Sequence, residues 1–163
     1  VLDLEFPAGP ADSNLPTFWI EDAVGIGSRV TIVDPTEEDL YLGKLYHPIS
    51  EPLDIGWAHG SELPEVRGRA MDADKGLFFR NHEVGQAMAF EALACAPGTD
   101  DALTLTATDL SQFEPNPDQT SQTYYSSVQV DTVYQSPAFT TEWGRSVRVQ
   151  SIITDGGLVQ LYE

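Results

Sequence analysis

The chain has 163 residues and a mass of 17.8 kDa, and its 26 acidic side chains against 8 basic ones give a formal net charge of −18. Apolar residues make up 41% of the chain and aromatic residues 10%, which excludes an acidic disordered tail and predicts one domain, residues 1–163, with a buried core. Nucleic acid is excluded as a partner because its binding depends on Lys and Arg, and membrane insertion is excluded because no run approaches about 18 apolar residues.

The first residues in chain order, 1–16, are rich in Pro and Gly and predict an extended N-terminal arm. Short runs of alternating apolar and polar residues follow and predict β-strands, because successive side chains of a strand point to opposite faces. These runs lie at residues 18–21, 29–33, 40–46, 65–71 and 77–80. Asp74-Lys75-Gly76 is predicted as the turn of a hairpin that joins the last two.

Helix and strand compete over residues 83–96. The Ala, Met, Glu and Leu residues of this segment are good helix formers, whereas the alternation of Met88, Phe90 and Ala92 with their neighbours favours a strand. A strand is the prediction here, with a helix as the alternative. Residues 96–101 are predicted as a hairpin turn into a further strand, which alternates Leu and Thr over residues 102–108.

The last third of the chain contains the clearest strand. Pro115 and Pro117 predict a long loop over residues 111–121, and the alternation over residues 124–134 predicts a strand that buries Val128 and Val130 on one face. Strands at 146–153 and 158–162 are predicted to form a hairpin through residues 154–157. The fold class is therefore all-β, an antiparallel β-sandwich or jelly roll or a closed β-barrel of roughly eight to ten strands, with at most one short helix.

The acidic charge is unevenly distributed. Residues 1–28 and 81–144 contain neither Lys nor Arg, so most carboxylates there have no cation nearby in sequence. Such a balance causes self-repulsion that salt screens, and it predicts a saline or halophilic setting with an extracellular, virion or cell-surface location. An acidic secreted protein of ordinary salt tolerance is the alternative, and a cytoplasmic location stays open. The single cysteine, Cys95, permits no intramolecular disulfide.

The candidates for catalysis are His82 beside Glu83 and His59 near Trp57, because histidine exchanges protons near neutral pH. The other interpretation of each is a loop histidine that only makes a hydrogen bond. The chain contains no G-x-S-x-G sequence, and its three histidines lack the short spacing of a zinc site. Enzymatic activity therefore stays open, and a non-catalytic protein is favoured.

Asp72 and Asp74 are the candidate metal ligands, since loop carboxylates bind calcium. An EF-hand is excluded because Gly76 and Leu77 stand where that motif needs an acidic or amide residue and then Gly. A solvated hairpin tip is the alternative interpretation. No cofactor other than calcium is expected.

Three function hypotheses follow. The leading one is a non-catalytic β-sandwich structural or interaction module, a coat, surface or assembly subunit with protein partners or copies of itself. The second is a small β-barrel that binds or transforms a small apolar molecule with a His, Tyr or Glu acid–base group. Its lumen would be lined by four aromatic residues, Trp19, Trp57, Phe90 and Tyr125. The third is a calcium-dependent carbohydrate-binding module.

Overall fold

A computed structural model describes residues 2–9, 17–25, 29–59, 65–66, 69–70, 72–86, 88–97, 100–141 and 144–163. The described residues form an all-β fold with one short α-helix, α1 (Ala107–Leu110), and one 3-10 turn (Glu37–Asp39). The strands are β1 (Leu2–Phe6), β2 (Phe18–Val24), β3 (Thr31–Asp34), β4 (Lys44–Pro48), β5 (Leu53–Ala58), β6 (Glu65–Val66), β7 (Arg69–Ala70), β8 (Asp72–Glu83), β9 (Glu91–Cys95), β10 (Ala102–Leu105), β11 (Tyr124–Gln135), β12 (Phe139–Thr140), β13 (Ser146–Val147) and β14 (Gln150–Tyr162). Neither described helix has the length or hydropathy needed to cross a membrane.

The strands form one five-stranded sheet, ordered β4-β14-β11-β8-β9, one three-stranded sheet, ordered β10-β5-β3, and the two-stranded pairs β1-β2, β6-β7 and β12-β13. β14 and β4 run parallel, whereas the pairings β1-β2, β5-β10, β3-β5, β6-β7, β8-β9 and β12-β13 are antiparallel. No sheet formed by the described strands closes on itself, and these sheets are consistent with the sandwich-like alternative.

The chain divides into two compact units. The first contains Val1–Ser28, Gly60–Asp74 and Val133–Ile153, and the second contains Arg29–His59, Lys75–Thr132 and Thr154–Glu163. In the first unit, Ile20, Ala23 and Val149 are buried together, and Leu4 and Phe139 pack against them. Leu4 belongs to β1, so part of the predicted N-terminal arm pairs as a strand, whereas residues 10–16 lie outside the described residues.

In the second unit, each of the two larger sheets buries one apolar face, which is what a two-layer β fold requires. The five-stranded sheet buries Leu77, Phe79, Val128, Val130, Val159 and Leu161, and the three-stranded sheet buries Leu53, Ile55, Trp57 and Leu105. The predicted inward face of residues 124–134 is confirmed, since Val128 and Val130 are buried.

The hairpins predicted at residues 74–76 and 154–157 are both wrong, because these segments lie inside the continuous strands β8 and β14. In β14 the turn-forming residues serve cross-strand contacts. Asp155 accepts a 2.8 Å hydrogen bond from the Ile32 amide, and the Thr154 hydroxyl donates to Asp131. Gly156 lies so close to β11 that a Cβ there would be 2.8 Å from the carbonyl oxygen of Val128.

The segments 83–96 and 96–108 match the sequence predictions only in part. A strand, β9, confirms the strand assignment within residues 83–96. The predicted turn at 96–101 does not form a hairpin, because β9 pairs with β8 while β10 pairs with β5. The strand predicted over 102–108 ends at Leu105, where Thr106 caps α1 by accepting a hydrogen bond from the Asp109 amide.

Gly156→Ala tests the close approach of β14 to β11. The added methyl group collides with a backbone carbonyl, so we expect the free energy of unfolding in urea to fall by about 1–3 kcal/mol. Gly157→Ala is the matched control, since its Cβ would meet only a Val128 methyl group at 4.0 Å. Equal stability of the two variants would contradict this strand contact.

Candidate functional site

The loop over residues 111–123 is fixed by the buried side chain of Asn116. Its Nδ2 donates to the carbonyl oxygens of Tyr124 at 2.8 Å and Leu161 at 3.1 Å, and its Oδ1 accepts from the amides of Thr123 and Tyr124, both at 3.0 Å. The Asn116 backbone also bridges to Tyr162. This loop therefore has a defined position against the ends of β11 and β14, although it contains no strand of its own.

An open groove of about 440 Å³ lies on one side of this loop. We call it the tyrosine groove, and it is lined by Tyr41, Leu42, Tyr46, Gln119, Thr120 and Gln122. The rings of Tyr41 and Tyr46 meet edge to face with centroids 6.1 Å apart. None of the six lining residues carries a charge, although the chain contains 26 acidic residues.

A tight turn builds the aromatic wall of the tyrosine groove. Tyr41 and Lys44 exchange backbone hydrogen bonds of 2.9 and 3.1 Å, and the two residues between them, Leu42 and Gly43, have φ values of +53° and +75°. Glycine adopts this left-handed conformation freely, whereas leucine does so at a cost. Leu42 is nevertheless held there with its side chain 81% exposed. The sequence predicted a continuous strand over 40–46, and this turn interrupts it.

A second surface, formed by exposed apolar side chains, lies where β8 leads into β9. We call it the edge patch, and it consists of Val84, Met88 and Phe90, which are 57%, 82% and 49% exposed. Val84 donates its amide to the carbonyl of Thr123, and the Phe90 ring lies 5.8 Å from that of Tyr124. The edge patch is therefore held against the start of β11.

Carboxylates surround the edge patch. Glu83 precedes it and is exposed, and Glu91 follows it. One oxygen of Glu91 accepts hydrogen bonds from the amide of Glu114 at 2.9 Å and from Nδ2 of Asn81 at 3.3 Å. Asn81 is itself buried and accepts from the Ser126 hydroxyl. This network joins two acidic residues, Glu91 and Glu114, and Glu83 is a third acidic residue next to the patch in sequence.

The predicted catalytic candidates lie in different surroundings. His82 stacks on Tyr125 with ring centroids 4.9 Å apart and planes 7° apart, and its buried Nδ1 has no hydrogen-bond partner among the described residues. Glu83 is exposed on the opposite face of the same strand, so it does not share the environment of its neighbour. His59 directly follows β5 and contacts Asp101, with 3.0 Å between Nε2 and Oδ1.

Asp101 is the centre of a charged cluster that sequence analysis missed. It accepts from His59 and from the ammonium group of Lys75, and its carbonyl accepts from the Trp57 amide at 2.9 Å. The hydrogen bond from Lys75 lowers the pKa of the Asp101 carboxyl, and the nearby positive charge adds to this effect. These contacts tie the beginning of β10 to β5 and β8, so they have a structural role.

The four aromatic residues expected to line a lumen lie in different surroundings. Trp57 is only 2% exposed in the core, and its Nε1 has no partner among the described residues. Trp19 lies in the first unit and is 61% exposed. Phe90 belongs to the edge patch, and Tyr125 covers His82. The groove-lining tyrosines show no alternating pattern in the sequence, because the turn at Leu42 and Gly43 interrupts the strand between them.

The predicted metal ligands Asp72 and Asp74 are both placed on β8 by the backbone, but their side chains lie outside the described residues. Within the described part of the chain, no group of three or more His, Cys, Asp or Glu side chains is positioned to hold a metal ion. Cys95 is partly buried. Burial is the main cause that raises the pKa of its thiol, and the negative charge of Asp109 adds to it. A raised pKa lowers the reactivity of a thiol because the thiolate is the reactive form.

Comparisons of the chain with family models, with curated proteins and with solved structures find no match. Inferences about function therefore depend on the described surfaces themselves.

Asp101→Asn tests the charged cluster through the dependence of stability on pH. Because the folded protein lowers the pKa of this carboxyl below its ordinary 3.8, the stabilisation is present above that value and is lost as the pH falls through the lower folded pKa. The side chain is 58% exposed, so solvent screening limits the effect to about 0.5 kcal/mol. In urea unfolding, we expect the variant to be less stable than wild type near neutral pH, and we expect this difference to shrink as the pH falls below the ordinary pKa of the carboxyl.

Asp100→Asn is the control, because Lys75 contacts only the backbone carbonyl of Asp100. A stability difference for Asp101→Asn that persists unchanged in acid would contradict the assignment.

Proposed function

We propose that the protein is a non-catalytic interaction module that assembles with further copies of itself, as a coat, surface or assembly subunit does. The observation that carries the proposal is the edge patch, in which Val84, Met88 and Phe90 are each exposed within the short segment between β8 and the edge strand β9. Exposed apolar side chains that are grouped and bordered by polar residues are typical of interaction surfaces.

Charge supports a second copy of the chain as the occupant of this patch. The second unit, which contains the edge patch, has 16 acidic and 4 basic residues, whereas the first unit has 10 acidic and 4 basic residues. A partner must therefore bring cations to Glu83, Glu91 and Glu114. The first unit exposes Arg145 and Arg148 beside β13, and it also exposes the apolar residue Trp19.

Contact between the first unit of one copy and the second unit of the next is heterologous. Such head-to-tail contacts repeat and produce rings or open filaments, which is the behaviour required of an assembly subunit. Each contact would place arginine beside carboxylate at its border and apolar side chains at its centre.

Salt has a defined role in this proposal. Copies that each carry a charge of −18 repel one another at long range, and this repulsion is screened once the Debye length falls to about 10 Å near 0.1 M salt. Contacts that exclude water are screened less. Assembly should therefore increase as salt is raised from low concentration, which suits the saline setting that the composition suggests.

Multi-angle light scattering and sedimentation velocity of the full chain, from about 0.01 M to about 1 M NaCl, test this function. We expect a monomer at the lowest salt concentration and larger species above about 0.1 M. Arg148→Glu and Met88→Gln should each weaken assembly about tenfold or more, because they remove a border cation and an apolar contact. Arg29→Glu, which changes the net charge equally at an exposed site of the second unit, is the matched control.

Exchanging the charges of Glu83 and Arg148 tests whether these two side chains meet between copies. Glu83→Lys added to Arg148→Glu should restore assembly if these side chains meet between copies. A monomer at every salt concentration would overturn the proposal. An equal loss in Arg29→Glu and Arg148→Glu would show that net charge, and not this contact, controls association.

A further inference from the structure

We infer that the tyrosine groove binds a neutral saccharide, at a site separate from the edge patch and independent of self-assembly. The groove has a volume of about 440 Å³, within the range of small-molecule sites, and it combines two aromatic rings with two amides and a hydroxyl. No function described above uses these residues.

The lining matches the surface chemistry of a sugar ring. A pyranose presents C–H groups on its faces, which pack on aromatic rings such as those of Tyr41 and Tyr46, and it presents hydroxyl groups around its edge. Gln119 and Gln122 each offer a carbonyl acceptor and an NH₂ donor, and such paired groups suit neighbouring hydroxyls.

The absence of charge in the lining selects among polar ligands. All six lining residues are neutral in a chain of net charge −18, so the groove has no carboxylate for a cation and no Lys or Arg for an anion. The overall negative charge also repels anionic ligands at long range. A neutral polyol is the class that remains.

A second observation concerns a buried side chain next to the groove. Gln160 is 1% exposed and is paired in parallel register with Tyr46, so both side chains lie on the same face of the sheet. Its Nε2 donates to the carbonyl of Ser121, between the lining residues Thr120 and Gln122. Its buried Oε1 has no partner among the described residues. A buried acceptor without a donor is unfavourable, and a water that bridges it to a ligand hydroxyl would satisfy it.

The walls of the groove are fixed before any ligand arrives. One carboxylate oxygen of Asp118 accepts from the Thr120 amide at 2.7 Å, from the Thr120 hydroxyl at 2.6 Å and from the Ser121 amide at 2.9 Å. The opposite wall is the turn that holds Leu42 in its left-handed conformation. Because these segments are already ordered, binding requires little further loss of conformational freedom.

The experiment uses a defined set of neutral hexasaccharides built from β-1,4-linked glucose, xylose, mannose or N-acetylglucosamine, or from α-1,4-linked glucose. Each is titrated to about 10 mM into the full-length ¹⁵N-labelled protein at low salt while amide shifts are recorded. We expect at least one to bind, with shifts confined to residues 41–46, 119–122 and 160. Tyr41→Ala should weaken binding about tenfold, whereas Tyr41→Phe should keep most of the affinity because the ring remains.

Trp19→Ala is the matched control, since it removes an equally exposed aromatic side chain from the first unit and should leave affinity unchanged. EDTA should also have no effect. The assignment is overturned if no hexasaccharide shifts the groove amides, if Tyr41→Ala binds within twofold of wild type, or if only an apolar probe such as decanol binds there. Repeating the titration with Arg148→Glu separates this result from the assembly proposal, because that variant should bind the sugar normally.

Discussion

The surfaces of the second unit depend on one buried side chain, Asn116. The side-chain amide of Asn116 makes four hydrogen bonds, all of them to backbone groups of Thr123, Tyr124 and Leu161. Leu161 lies 45 residues from Asn116 in the chain. Each of these backbone groups would be costly to leave unpaired, by about 1–3 kcal/mol. The Asn116 contacts thus fix the 111–123 loop, which contributes one wall of the tyrosine groove and accepts a hydrogen bond from the edge patch at Val84.

Some of the acidic residues stabilise local structure by accepting hydrogen bonds. Asp39, Asp109 and Asp118 each accept hydrogen bonds from a threonine hydroxyl and from backbone amides, and these bonds lower the pKa of all three carboxyls. In a chain with few cations, backbone amides and hydroxyls take the place of Lys and Arg as partners of carboxylates. The acidic residues around the edge patch differ, because Glu83 is exposed and remains available to a partner.

Sequence periodicity predicted the all-β class and the buried face of β11. A strand with one buried and one solvent-exposed face alternates apolar and polar residues, and this alternation is visible in the sequence. Turn composition was less reliable. Asp155 and Gly156 look like a hairpin turn, yet Asp155 bonds to β3 and Gly156 permits close approach to β11. The tyrosine groove was not predictable, since it requires the parallel pairing of β4 with β14, and no local pattern encodes a pairing across more than 100 residues.

Amide hydrogen exchange at Thr123, followed by NMR in the wild-type protein and in Asn116→Ala, tests the central role of Asn116 most directly. Thr123 is exposed, and its amide has Asn116 Oδ1 as its acceptor at 3.0 Å. We expect slow exchange in the wild type, rapid exchange in the variant, and a loss of about 2–4 kcal/mol in the free energy of unfolding. Rapid exchange of the Thr123 amide in the wild-type protein would contradict the account.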